Sequence, residues 1–98
     1  ATALANYDVM INNLRPYCTA IIHCLVIPDD DYDMTAINNG LIAAYGGIDT
    51  IVDTFTSFKT AGQTTLAIAY NGDGTHLNDN GHVHQASLIS TDVPYILI

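Results

Sequence analysis

Asp73 and His76 are the two residues in this chain whose types and spacing most directly suggest chemistry. They stand three residues apart in the glycine-punctuated stretch Asn71-Gly-Asp-Gly-Thr-His-Leu-Asn-Asp-Asn-Gly-His82. A carboxylate this close to an imidazole can fix one tautomer of the ring and stabilise its protonated form. Those are the requirements of a general base that takes a proton from a serine hydroxyl. The spacing also fits a plain surface turn, because Asn, Asp and Gly are the residues turns favour. An amphipathic segment follows at once, with Asn78 or Asp79 placed to cap a helix.

The elements that must carry this loop can be read in order. Leu4, Tyr7, Ile11 and Leu14 recur at helical spacing over residues 3–15, and Pro16 ends the run. Residues 19–27, Thr-Ala-Ile-Ile-His-Cys-Leu-Val-Ile, form a β-branched and apolar run that stops at Pro28. Such a run suits a strand buried on both faces of a parallel sheet. His23 within it is expected to be a core histidine with a backbone partner. Asp29, Asp30, Asp31 and Asp33 then make an acidic loop at the strand's carboxyl end, where open α/β sheets bind their ligands. The loop reads as solvated, with Asp33 capping a helix over Met34–Tyr45 that Gly46 and Gly47 stop; a calcium site is the less favoured reading. Ile51–Val52 is expected as a short strand, followed by one or two helical turns to Lys59. Thr64–Tyr70 is expected as a short strand or buried connection. A helix over residues 79–90 should turn Val83, Ala86 and Ile89 inward, and residues 91–98 read as a β-prone tail.

The block Asp73-Gly-Thr-His-Leu-Asn-Asp-Asn-Gly-His82 closely resembles the last conserved block of the SGNH, or GDSL, esterases. Three further stretches agree with that family: Tyr7-Asp-Val-Met-Ile-Asn-Asn-Leu-Arg15 with the helix before its central strand, Cys24-Leu-Val-Ile-Pro28 with that strand, and Ile51-Val-Asp-Thr-Phe55 with a later segment. The resemblance spans roughly residues 4–90, although only the loop motif is specific. It implies an α/β fold, part of a three-layer α/β/α flavodoxin-like domain with a parallel sheet. It further implies that Asp73 and His76 are the acid and base of a Ser-His-Asp triad, working without a cofactor.

The chain departs from the family in lacking the Gly-Asp-Ser nucleophile block, the glycine block after it and the Gly-x-Asn-Asp block. Its only serines are Ser57, Ser87 and Ser90, and none stands beside a glycine in a strand-to-helix elbow. The resemblance therefore implies the carboxyl-terminal part of a hydrolase, whose nucleophile comes from a complementary chain or a missing amino-terminal half. Substrates would be small-molecule or glycan esters. Such a half-sheet would leave an edge open to pairing with other chains, so the isolated chain is expected to be oligomeric, aggregation-prone or bound to its complement.

Composition bounds the alternatives. Ninety-eight residues, 49% of them hydrophobic, suit one small globular domain. The formal charge of −8, with ten Asp and a single Lys and Arg, argues against nucleic acid or an anionic membrane as partner. Residues 1–5 do not resemble a signal peptide, and no apolar run nears the roughly 20 residues of a spanning helix, so the chain reads as soluble. Cys18 and Cys24 on one strand would lie roughly 20 Å apart at about 3.3 Å per residue, too far for a disulfide to each other. Cys24 is expected as a buried free thiol, which leaves the compartment open, with extracellular and virion-associated settings both compatible. Two rival functions remain: a metal site of Asp73, His76, His82 and His84, and a non-catalytic interaction module. The first is disfavoured because His82 and His84 on a helix point about 200° apart.

Overall fold

A computed structural model describes residues 2–93. It is an α/β structure of three helices, α1 (Thr2–Leu14), α2 (Thr35–Tyr45) and α3 (Asp79–Asp92), and two short strands, β1 (Ile22–Cys24) and β2 (Thr50–Val52). The strands pair in parallel, with Ile22 opposite Thr50, His23 opposite Ile51 and Cys24 opposite Val52. Parallel neighbours need a crossover between them, and α2 supplies it. No helix among the described residues is long and apolar enough to cross a membrane.

Two apolar clusters hold the layers. Ile11 of α1, Leu25, Leu41 and Tyr45 of α2, and Phe55 form the first, with Leu4, Tyr7, Met34 and Ile51 packed around it. Phe58, Leu66 and Leu77 form the second, covered by Ile27, Tyr70 and Leu88 of α3. The stripe expected on α1 is therefore used through Leu4, Tyr7 and Ile11, while Leu14 at its end stays exposed.

Charged and polar groups tie the amino ends of the strands to both helices. Arg15 donates two hydrogen bonds to Asp49, at 3.0 and 2.8 Å. His23, fully buried, lies 2.8 Å through Nε2 from the same carboxylate and 2.6 Å through Nδ1 from the Tyr7 hydroxyl. An ionised Asp49 can only accept, so Nε2 carries the proton and Nδ1 accepts from Tyr7. Tyr45 stacks on the His23 ring with centroids 4.4 Å apart and donates to Asp8 of α1. His23 thus takes two side-chain partners, not the backbone partner expected of it.

Other expectations change for physical reasons. The strand is three residues long, not nine, because only Ile22–Cys24 has a neighbour to pair with. Leu25 N donates to Val52 O and Thr50 N to Ile21 O, so the odd-numbered residues of β1 face β2. The backbone groups of Ile22 and Cys24 face the other way, where no strand pairs among the described residues. Cys24, on the strand face opposite the buried His23, is exposed, not buried; both cysteines are free thiols. Asn38, in the middle of α2, is buried and brackets Val26, accepting from its N–H and donating to its C=O at 2.8 and 2.9 Å. The segment after β2 makes a single 3₁₀ turn, Thr56–Phe58, and Ile68–Tyr70 makes another where a strand was considered. Helix α3 runs to Asp92, two residues into the expected tail; residues 94–98 lie outside the described residues.

The Asp49 carboxyl is held down at about 2, first by its hydrogen bonds from Arg15 and then by that from His23. Because the folded value lies below the ordinary 3.8, this stabilisation is complete above that pH and is lost as pH falls toward about 2. Asp49→Ala should cost about 3 kcal/mol near neutrality by leaving the His23 donor buried and unpaired. In denaturant titrations the gap between parent and variant should close in that acid range.

Candidate functional site

The loop bearing Asp73 and His76 leaves Tyr70 and returns to Asn78, closed at its base by an antiparallel bridge between Asn71 and Leu77. Gly72 N donates to His76 O at 2.8 Å and Asn78 N to Tyr70 O at 2.9 Å. Inside this frame Asp73 folds the loop around its own carboxylate. Its Oδ1 accepts from the backbone N–H of Thr75 at 3.0 Å and of His76 at 2.7 Å. Its Oδ2 lies 2.8 Å from His76 Nδ1. Gly74 permits the turn, at φ +92°, a value L side chains rarely adopt.

The hydrogen bond expected from the three-residue spacing is therefore present. An ionised Asp73 can only accept, so Nδ1 of the neutral ring carries the proton and Nε2 holds the free lone pair. This is the opposite tautomer to that of His23. His76 is 78% exposed at its side chain and Asp73 61%. The Asp73 carboxyl is lowered to about 2, chiefly by the hydrogen bond from the His76 ring and then by the two backbone donors. The imidazole is raised by that same bond and by the Asp73 charge, with a smaller contribution from Asp29.

The helix that follows is set by two contacts. Asn78 caps it, its side chain accepting from Gly81 N at 2.8 Å. Gly81 is buried so tightly that a Cβ there would meet Leu77 Cβ at 2.8 Å. With Gly81 inward, His84 and Leu88 share its face, while Val83 and Ala86 point to solvent, contrary to the expected register. Nothing in the sequence periodicity could show this, because the helix is fixed by a glycine contact and not by an apolar stripe.

The remaining histidines and serines lie elsewhere. His84 stacks on Tyr70 with centroids 4.8 Å apart, and its Nε2 lies 2.8 Å from Ser57 Oγ. Ser87 accepts through its carbonyl from Ser90 and Thr91. His76 has no serine partner among the described residues. His82 is exposed, and no group of three His, Cys, Asp or Glu side chains is disposed to hold a metal ion among those residues, so Asp73, His76, His82 and His84 do not converge. The acidic loop after β1 is occupied by backbone donors: Asp29 accepts from Asp31 N, Asp33 from Thr35 N, and Asp30 from Leu66 N. A groove of about 460 Å³, bordered by Asp30, Gln63, Ile68 and Asn71, opens at the base of the Asp73–His76 loop. A second, of about 430 Å³, lies at the other end of the sheet beside Arg15 and Asp49.

No family model matches the chain, and neither a curated protein nor a solved structure matches it.

The pairing of Asp73 with His76 is open to measurement. The His76 ring should titrate above an ordinary imidazole when followed by NMR against pH, and Asp73→Asn should bring it down. Equal titration in parent and variant would show that the pair does not form in solution.

Proposed function

We propose that this chain provides the base and the orienting acid of an SGNH/GDSL-type serine esterase. The observation that carries the reading is the Asp73–His76 hydrogen bond, which leaves Nε2 as an exposed acceptor. That arrangement suits an imidazole awaiting a serine hydroxyl. In the complete enzyme the serine comes from outside residues 1–98, since Ser57 Oγ is paired with His84, Ser90 Oγ with the Ser87 carbonyl, and no serine is bonded to His76 among the described residues. The open side of β1 at Ile22 and Cys24 suits a further parallel strand of the same missing part. The complete domain is then a three-layer α/β/α flavodoxin-like fold, and this chain contributes two adjacent strands and their helices.

In the reaction, the serine hydroxyl gives its proton to His76 Nε2 as its oxygen attacks the ester carbonyl. Asp73 stays ionised, holds the ring through Nδ1–H and stabilises the imidazolium. The same Nε2 then returns the proton to the departing alkoxide, and a water repeats the sequence to release the acid. The substrate is a carboxylic ester, acylated carbohydrate included.

In the complete protein His76→Ala should abolish ester hydrolysis. Asp73→Asn should lower turnover by a factor on the order of 10⁴, the loss that follows when tautomer control is removed from a comparable triad. The acid limb of the pH–rate profile should lie above the ordinary imidazole range, because the base is active only once deprotonated and Asp73 raises its pKa. Residues 1–98 alone should not hydrolyse an activated ester above buffer. Turnover by the isolated chain that survives His76→Ala would refute the assignment.

A further inference from the structure

Asp30 lies in the segment that follows β1, 43 positions before Asp73, yet it holds the loop that carries the acid and the base. Its backbone N–H donates to Gly74 O at 2.8 Å. Its carboxylate accepts through Oδ2 from the Asn71 side-chain amide at 3.0 Å and through Oδ1 from Leu66 N at 3.1 Å. Asn71 in turn accepts from Gly74 N at 2.6 Å. Gly74, midway between Asp73 and Thr75, lies against the same carboxylate: a Cβ there would meet Asp30 Oδ2 at 3.1 Å. Both backbone groups of Gly74 are therefore fixed, one by Asp30 directly and one through Asn71.

We propose that Asp30 is a positioning residue for the His76 base, clamping the Asp73–His76 loop to the acidic segment after β1 through Gly74 and Asn71. The proposal rests on the reading of His76 as a base, and its physical content is independent of turnover. An exposed ion pair such as Asp73–His76 is weak when its two side chains must be ordered from a mobile backbone. A loop pinned at its centre presents the pair already formed, and the ordering is done by Asp30, Asn71 and the strand behind them. The acidic loop after β1 thus has divided roles. Asp30 holds the backbone, while Asp29 acts on His76 by its charge.

The test is the NMR titration of the His76 ring in the complete protein, compared across Asp30→Ala, Asn71→Ala and Asp31→Ala. The charged groups that act on His76 are Asp73 on its own loop and Asp29 on the strand exit. None of the three substitutions touches them. Releasing the clamp should shift the His76 titration downward in Asp30→Ala and in the uncharged change Asn71→Ala, and leave it in place in Asp31→Ala. Unchanged His23 signals serve as the check that the fold persists. An unshifted His76 in Asp30→Ala and Asn71→Ala overturns the proposal, as does an equal shift in Asp31→Ala, which would be a general charge effect. If Asp30→Ala does not fold, Asn71→Ala decides alone. A parent chain with a raised His76 but unresponsive variants removes the clamp and leaves the esterase reading intact. Responsive variants in a protein without esterase activity do the reverse.

Discussion

The fold depends on a buried carboxylate. Asp49 stands where the chain enters β2 and receives Arg15 from the end of α1 and His23 from the middle of β1. Tyr7 fixes the far nitrogen of that histidine, and Tyr45 of α2 covers its face. One acid thereby orders both strands and two helices. A two-stranded parallel sheet has little stability of its own, so its alignment must come from contacts of this kind. The site sits at the opposite end of β1, where the chain leaves the strand through Pro28 to Asp30. Asp49 holds β1 through His23, and Asp30, in the segment after the strand, holds the loop through Gly74 and Asn71.

His23 and His76 show how the same pair of residue types does different work in different surroundings. The His23–Asp49 pair is buried, shared with Arg15 and closed on both nitrogens, so it can only hold the structure together. The Asp73–His76 pair is exposed, local and open at Nε2. The exposure means that the pair adds little stability and must be held by its loop. It also means that a serine can reach it from outside.

What the sequence revealed follows from the range of each interaction. The Asp73–His76 bond spans three residues, and turn chemistry makes such a contact readable. The helical spacing of Leu4, Tyr7 and Ile11, the stop at Gly46 and the Asn78 cap are likewise local. Asp49 is not legible in the sequence because its partners lie 26 and 34 residues away, in segments whose periodicity carries no sign of them. Asp30 is hidden in a run of acids in which every member looks alike, and only its contacts with Leu66, Asn71 and Gly74 single it out. The inward face of α3 was misread for a related reason. Apolar spacing points to Val83 and Ala86, whereas the buried residue of the helix is Gly81, which lies against the Tyr70 carbonyl. Cys24 reads as buried because its neighbours are apolar, but burial on both faces of a strand requires a layer packed on each face, and the face carrying Cys24 is exposed.

The proposed esterase needs the base in this chain to serve a nucleophile outside it. The most direct measurement is the site of reaction of a serine-directed phosphonate with the complete protein, located by peptide mass spectrometry. The adduct should fall on a serine beyond residues 1–98, and its formation should be lost in His76→Ala. An adduct on Ser57 beside His84, or labelling that persists unchanged in His76→Ala, would contradict the account.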